Sequence, residues 1–135
     1  MGPEVDALAE AARSVQNKVG EQNLWKAVLA LRVWYFIARG EGDDAEPMVA
    51  SVDGRPQLLA FTDEDRAEAF ARHIQSKRGG EAPGLLEMDV PDAVEYAKEL
   101  EALDVATILF NSGEHAFSCS MTRLKDMWGR YAQRL

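Results

Sequence analysis

The sequence is short of the residues on which most metal sites and nucleophilic active sites depend. Its 135 residues include one cysteine, Cys119, and two histidines, His73 and His115. A single cysteine forms no disulfide within the chain, so we expect a reducing, cytoplasmic compartment. Zinc sites use three or four clustered ligands, and neither a CxxC nor an HxxxH spacing occurs. We therefore expect neither a bound metal nor a cofactor.

Positive charge and long apolar runs are scarce as well. Lysine and arginine number 15 against 23 aspartates and glutamates, which gives a net charge of −8. Nucleic acids and anionic membrane surfaces attract basic proteins and repel acidic ones, so we expect neither as a partner. A basic protein is compatible with this charge. No run of about 18 apolar residues could span a membrane, and residues 1–6 lack the pattern of a signal peptide.

Nucleotide-binding and calcium-binding signatures are absent too. Neither the P-loop pattern GxxxxGK[ST] nor the dinucleotide pattern GxGxxG occurs. We therefore expect the segment 77–80, KRGG, to be part of a loop over 76–84 and not a phosphate-binding site. The acidic segment 40–47 lacks the fixed ligand spacing of an EF-hand, so we expect a solvated loop there.

The sequence does contain a clear hairpin pattern. Two apolar runs, 48–52 and 57–61, flank Asp53-Gly54, a dipeptide that favours a two-residue β-hairpin turn. Thr62 follows as the predicted cap of a helix, with Asp65 three residues later in an approximate capping box. This unit indicates a fold that mixes α and β structure.

Helical and extended patterns alternate along the rest of the chain. Apolar spacing predicts a helix from Val5 to Val19, with Gly20 as its stop, and a second over 23–31 with Asn23 as cap. Two more are predicted from Pro91 and from Met121. Strands are predicted over 34–38, 85–90, 107–110 and 116–119, and the continuous apolar run 34–38 indicates a strand covered on both faces. The predicted class is an α/β (α+β) fold, a mixed β-sheet with helices packed on it. We expect one domain over residues 1–135, with residues 1–22 as an amino-terminal helix, a partly independent arm.

The order of these segments resembles the amino-terminal domain of the SseB family, small bacterial proteins of poorly defined role. The resembling residues are the strand 34–38, Pro47-Met48-Val49, Val52-Asp53-Gly54, the run 58–63 (LLAFTD), Ala67, Ala69, and the run 106–113 (ATILFNSG). The family's turn often reads Asn-Pro, where this chain has Ser112 after Asn111. The resemblance covers about residues 24–127. It implies an α/β fold and carries no established active site to this chain.

Cys119 and its neighbour Ser118 are the candidate nucleophiles, and His115 is the candidate base. Four residues of extended strand span about 13 Å, at about 3.3 Å per residue, so we expect no direct contact between His115 and Cys119. We expect Cys119 to be a small buried thiol and His73 to lie at an exposed edge of the core. No residue is therefore assigned a catalytic role.

These patterns favour a non-enzymatic domain that binds another protein, with self-association as one form of that role. The candidate interface anchors are Trp25, Trp128 and Tyr131, on helices near the two ends of the chain, because tryptophan is enriched at binding hot spots. For Trp25 and Trp128 themselves, packing in the core is the favoured interpretation, and the interface role is the alternative. Two other hypotheses stay open. One is a small-molecule-binding regulatory domain with a pocket between sheet and helices, and the other is a hydrolase or transferase that uses Cys119 or Ser118 with His115.

Overall fold

In the described part of the chain, seven β-strands arranged in two sheets form the frame of the fold. The structure is a computed structural model that describes residues 5–9, 18–40, 42–113 and 115–131. Within these residues the strands are β1 (Val33–Arg39), β2 (Glu46–Pro47), β3 (Val49–Val52), β4 (Arg55–Ala60), β5 (Leu85–Asp89), β6 (Thr107–Phe110) and β7 (Phe117–Ser120). The first sheet has the order β2-β1-β5 and the second has the order β3-β4-β6-β7. Strands β4 and β6 are parallel, and the other neighbours are antiparallel.

A few backbone hydrogen bonds join the two sheets. Tyr35 and Phe61 exchange two N–H···O bonds of 2.9 and 2.8 Å, which make an antiparallel bridge between β1 and the end of β4. The Met48 N–H donates to the Ile37 carbonyl of β1 at 2.8 Å, and the Met48 carbonyl accepts from the Leu59 N–H of β4 at 3.2 Å. The chain from β2 to β3 therefore leaves one sheet and enters the other at Met48.

Four α-helices with defined bounds pack on this frame within the described residues. They are α1 (Lys18–Leu29), α2 (Glu64–Arg78), α3 (Val90–Glu101) and α4 (Met121–Tyr131); residues 42–44 form a 3₁₀ turn and residues 5–9 are also helical. Two caps set the starts of α2 and α4: the Asp63 carboxylate accepts from the Arg66 N–H at 2.9 Å, and the Ser120 hydroxyl accepts from the Arg123 N–H at 3.1 Å. The combination of sheets and helices confirms the predicted α+β fold.

The β3–β4 hairpin follows the local sequence closely. Asp53 and Gly54 have positive φ angles of 54° and 79°, as a type I′ turn requires at both central positions. On either side of the turn, Val52 lies opposite Arg55. The predicted hairpin and its turn residues are therefore confirmed.

Two cores lie on opposite faces of the strands. Trp34 and Phe36 of β1 lie in the main core, which α1, α3 and α4 cover, whereas Ile37 lies in a smaller core under α2. Side chains alternate between the faces of a strand, so this run of apolar residues serves both cores, as predicted. The Trp34 Nε1–H donates to the Val28 carbonyl at 3.0 Å, which satisfies the one polar group of the buried indole.

Four predicted helix boundaries are wrong. Gly20 and Asn23 lie inside α1 rather than at an end and a cap, because burial of one face of α1 in the main core outweighs the roughly 1 kcal/mol that a helical glycine costs. Asp63, not Thr62, caps α2, since the Thr62 side chain is hydrogen-bonded to Asn111. Helix α2 also continues to Arg78, past the predicted start of the loop at residue 76.

The amino-terminal segment contacts the rest of the fold through Val5, Ala9, Asp6 and the partly buried Leu8. Val5 and Ala9 are buried in the main core, and the Asp6 carboxylate pairs with Arg66 of α2. Residues 10–17, which include Ala12 and Val15 of the predicted first helix, lie outside the described residues. The division of the chain into one domain with an arm over residues 1–22 stays a prediction.

Candidate functional site

A groove opens where the loop after β4 meets the loop after β6. In open α/β sheets, ligands bind beyond the carboxyl ends of parallel strands, and β4 and β6 run parallel. The groove has a volume of about 530 Å³, within the range of small-molecule sites. Its lining consists of Phe61, Arg66, Ala69, Phe70, His73, Asn111, Ser112, Gly113 and His115. Together these residues form the β4–β6 groove.

A buried polar network joins the two loops. Thr62 and Asn111 are each 4% exposed. The Thr62 N–H donates to Asn111 Oδ1 at 3.0 Å, and Asn111 Nδ2 donates to Thr62 Oγ1 at 3.0 Å. Asn111 has a φ of 53°, a left-handed conformation that asparagine adopts more readily than most residues. The network fixes the two loops relative to each other and thereby defines the walls of the groove.

Aromatic rings form the apolar part of the lining. The ring centres of Phe61 and Phe70 lie 5.4 Å apart at an interplanar angle of 44°. The His73 ring continues this wall, with its centre 6.2 Å from that of Phe70. Phe61 is held in the smaller core, with Phe70 packed against that core from α2. The groove therefore offers ring faces and edges against which a flat apolar group could pack.

Arg66 brings a positive charge to the groove, and two carboxylates oppose it. Arg66 Nε lies 3.1 Å from Asp63 Oδ2, and its Nη2 pairs with Asp6 Oδ2. Asp63 uses its other oxygen, Oδ1, to cap α2. Two carboxylates against one guanidinium leave this end of the groove without surplus positive charge. A phosphate or carboxylate ligand would have to compete with Asp6 and Asp63 for the same cation.

The two histidines of the chain line the same groove from different elements. His73 comes from α2, exposed as predicted, and His115 comes from the turn between β6 and β7. The sequence analysis did not bring them together, because the pairing of β4 with β6 joins residues 50 positions apart, such as Gln57 and Thr107. Two features of the sequence bear on this proximity. His115 follows a predicted strand, and His73 lies three residues after Phe70 on one predicted helix.

The candidate nucleophile Cys119 points away from this groove. It lies opposite Ile108 in the β6–β7 pair, is 7% exposed and belongs to the main core. Burial raises the pKa of the Cys119 thiol to about 12. Ser118 is exposed on the opposite face of β7, while His115 lines the groove. Cys119 is thus the small buried thiol that the sequence predicts, with a protonated and poorly reactive sulfur at neutral pH.

The three predicted interface residues have different environments. Trp25 is 2% exposed and packs edge-on against Phe110 and Phe117, at ring-centre distances of 5.7 and 5.3 Å. Its side chain is a core residue and offers no surface to a partner in this structure. Trp128 and Tyr131 of α4 are partly buried at the margin of the main core. The Lys26 ammonium lies 5.6 Å from the centre of the Tyr131 ring.

The described part of the chain contains no cluster suited to a metal ion. No group of three or more His, Cys, Asp or Glu side chains is arranged there to hold one. In the acidic segment 40–47, residues 42–44 form the 3₁₀ turn, and Glu41 lies outside the described residues. Gly79 and Gly80 of the segment 77–80 have φ angles of 78° and 77° and follow the end of α2.

In the same described residues, no helix combines the length and apolarity needed to cross a bilayer.

Comparison with known proteins adds no relative to this description. No protein-family model matches the chain, and no significant match was found among curated proteins. The functional argument therefore rests on the groove itself.

Proposed function

We propose that the chain is a non-enzymatic binding domain and that a small molecule binds in the β4–β6 groove. One observation carries this proposal. Hydrogen bonds between Thr62 and Asn111 join the loops that follow the parallel strands β4 and β6, and a groove of about 530 Å³ lies between these loops and α2. A preformed groove spares a ligand the cost of ordering its own site. Of the three hypotheses drawn from the sequence, the small-molecule-binding regulatory domain fits this geometry best.

The lining favours an uncharged ligand with a flat apolar part. Phe61 and Phe70 offer ring surface, and Ser112 and His73 offer hydrogen-bonding groups around it. Arg66 is already opposed by two carboxylates, so an anionic ligand gains little from it. The ligand class is therefore neutral one-ring or two-ring aromatic compounds that carry a donor or an acceptor.

The buried state of Cys119 supports a role without catalysis. Burial keeps the Cys119 thiol protonated, and the thiolate is the reactive form of cysteine. Ser118 lies on the opposite face of β7 from Cys119. A hydrolase or transferase would therefore depend on Ser118 and a base beside it.

We also propose that the chain is a bacterial SseB-like domain of the cytoplasm. The residues quoted for the resemblance support the first part, and the single, buried cysteine supports the second. The net charge of −8 supports partners other than nucleic acids and membrane surfaces.

Association with a partner protein or a second copy is the second candidate function. Trp128 and Tyr131 remain partly exposed beside Lys26, and large aromatic side chains often anchor interfaces. Size-exclusion chromatography with light scattering measures self-association. If the chain forms a dimer, Trp128→Ala should shift the observed molar mass toward that of the monomer. A monomeric protein whose partner binding is unchanged by this substitution would count against this candidate.

A fragment screen tests the groove directly. We expect neutral aromatic fragments to shift the amide resonances of Phe70, His73 and Gly113 in ¹H–¹⁵N spectra. Ala69→Leu fills the groove from an exposed helix position and should abolish these shifts with little effect on folding. The matched control is Ala102→Leu, at an exposed position after α3. Fragments that bind elsewhere, or that still bind to Ala69→Leu, would refute the assignment of the groove as the ligand site.

A further inference from the structure

The outer edge of β5 presents backbone groups that have no partner in the sheet. Strands β1 and β5 are antiparallel neighbours, and the Ala38 N–H donates to the Gly84 carbonyl at 2.8 Å. In an antiparallel pair, every second residue of a strand directs its N–H and C=O toward the neighbouring strand. Since Gly84 directs its carbonyl toward β1, Leu86 directs its N–H and C=O toward β1 as well. Leu85 and Glu87 therefore turn theirs outward.

Nothing in the described part of the chain covers that outward side. β5 is the last strand in the order β2-β1-β5. Among the described residues, no further backbone hydrogen bond reaches the N–H or C=O of Leu85 or Glu87. An open strand edge is a template on which another extended chain can add as a new strand.

Carboxylates surround this edge and indicate the charge of its occupant. Glu87 and Asp89 are exposed on β5, and Asp92, Glu95 and Glu99 follow on one side of α3. They border a second groove of about 460 Å³, to which Met88 and Tyr96 add apolar surface. Lys98 pairs with Glu95 at 2.9 Å, whereas Asp92 and Glu99 form no ion pair with any described residue.

We propose that the β5 edge docks an extended basic segment of a partner protein, which adds to the sheet as a strand with lysine or arginine at alternate positions. Backbone hydrogen bonds to Leu85 and Glu87 hold the segment in register, and the carboxylates select its positive charge. A second copy fits less well. Antiparallel pairing of β5 with itself around Glu87 sets two glutamates opposite each other, between chains that each carry −8. This inference does not depend on the ligand of the β4–β6 groove.

A labelled peptide of alternating lysine and valine, about six residues long, is the probe, since strands are usually of this length. We expect fluorescence polarisation to detect binding that weakens as salt is added. The control peptide has the same sequence with an N-methyl group on every residue, so it keeps the charge and loses the backbone donors on both edges. We expect the control peptide not to bind.

Two charge variants and an exchange measurement complete the test. Asp92→Asn/Glu99→Gln should weaken binding about fivefold. The control Asp53→Asn/Asp104→Asn removes the same charge at two exposed turns away from β5 and should change binding less than about twofold. Bound peptide should slow amide exchange at Leu85 and Glu87, while Leu86 is protected with or without it.

Three results would overturn the proposal. The N-methylated peptide could bind equally well, which means adsorption by charge alone. The two variant pairs could weaken binding equally, or exchange at Leu85 and Glu87 could stay fast. A dimer that protects these same two amides without peptide would replace the basic partner with a second copy.

Discussion

The link between Thr62 and Asn111 provides the sharpest test of the groove's architecture. Asn111→Ala removes the acceptor of a buried Thr62 N–H, and an unsatisfied buried donor costs about 1–3 kcal/mol. Alanine must also adopt the φ of 53° found at this position, which costs about 1–2 kcal/mol more. We expect the free energy of unfolding to fall by about 2–5 kcal/mol, measured by urea titration with tryptophan fluorescence.

Thr62→Val is the matched control for this prediction. It keeps the Thr62 N–H bond to Asn111 Oδ1 and removes only the hydroxyl that accepts from Asn111 Nδ2. We expect a smaller loss, about 1–2 kcal/mol, and a coupling of at least about 0.5 kcal/mol between the two sites in a double-mutant cycle. If Asn111→Ala lost less than about 1 kcal/mol, or if the two effects simply added, the network would not hold the loops as described.

Four further outcomes follow from single features of the structure. Asp63→Ala deletes the cap of α2 and should cost about 1–2 kcal/mol in urea titration; no loss would mean that another group caps the helix. Gly54→Ala meets nothing within 4 Å but must adopt a φ of 79°, so about 1 kcal/mol of backbone strain is expected, and a stabilised variant would contradict the type I′ turn. Iodoacetamide should label native Cys119 slowly at neutral pH, since burial raises its pKa to about 12; labelling as fast as in urea would contradict this burial. Hydrogen bonds from Lys125 and Thr122 lower the pKa of Glu101 below its ordinary 4.5. These contacts therefore stabilise the fold fully above pH 4.5, and the stabilisation is lost as the pH falls through the lowered pKa of Glu101. Glu101→Gln should flatten that part of the stability–pH curve, and an unchanged curve would contradict the contact.

Local chemistry accounts for the parts of the fold that the sequence predicted. The hairpin at Asp53-Gly54 depends on two φ angles that few residue pairs adopt readily, and the strand at Trp34 depends on an unbroken apolar run that both cores require. Gly20 and Asn23 misled the prediction because their local preferences are weak beside the burial of α1. Trp25 could not be assigned to core or surface until the packing of α1 against Phe110 and Phe117 was known.

The candidate site was beyond the reach of the sequence because its parts come from distant positions. The link from Thr62 to Asn111 spans 49 residues, and nothing in either local pattern indicates that their loops adjoin. The parallel pairing of β4 with β6 had to be known first. The family resemblance did place a turn at Asn111, and the left-handed φ there shows why asparagine suits this position.

Met48 makes the chain between β2 and β3 sensitive to its own length. One residue hydrogen-bonds both sheets there, through its N–H to Ile37 and its carbonyl to Leu59. An insertion or deletion of one residue beside Met48 would turn the side chains of one flanking strand onto the wrong face while the other strand stayed in place. The loop after α2, at Gly79 and Gly80, joins elements without such a double constraint. Length variation among natural or engineered versions of this chain should therefore accumulate after α2 and be excluded around Met48.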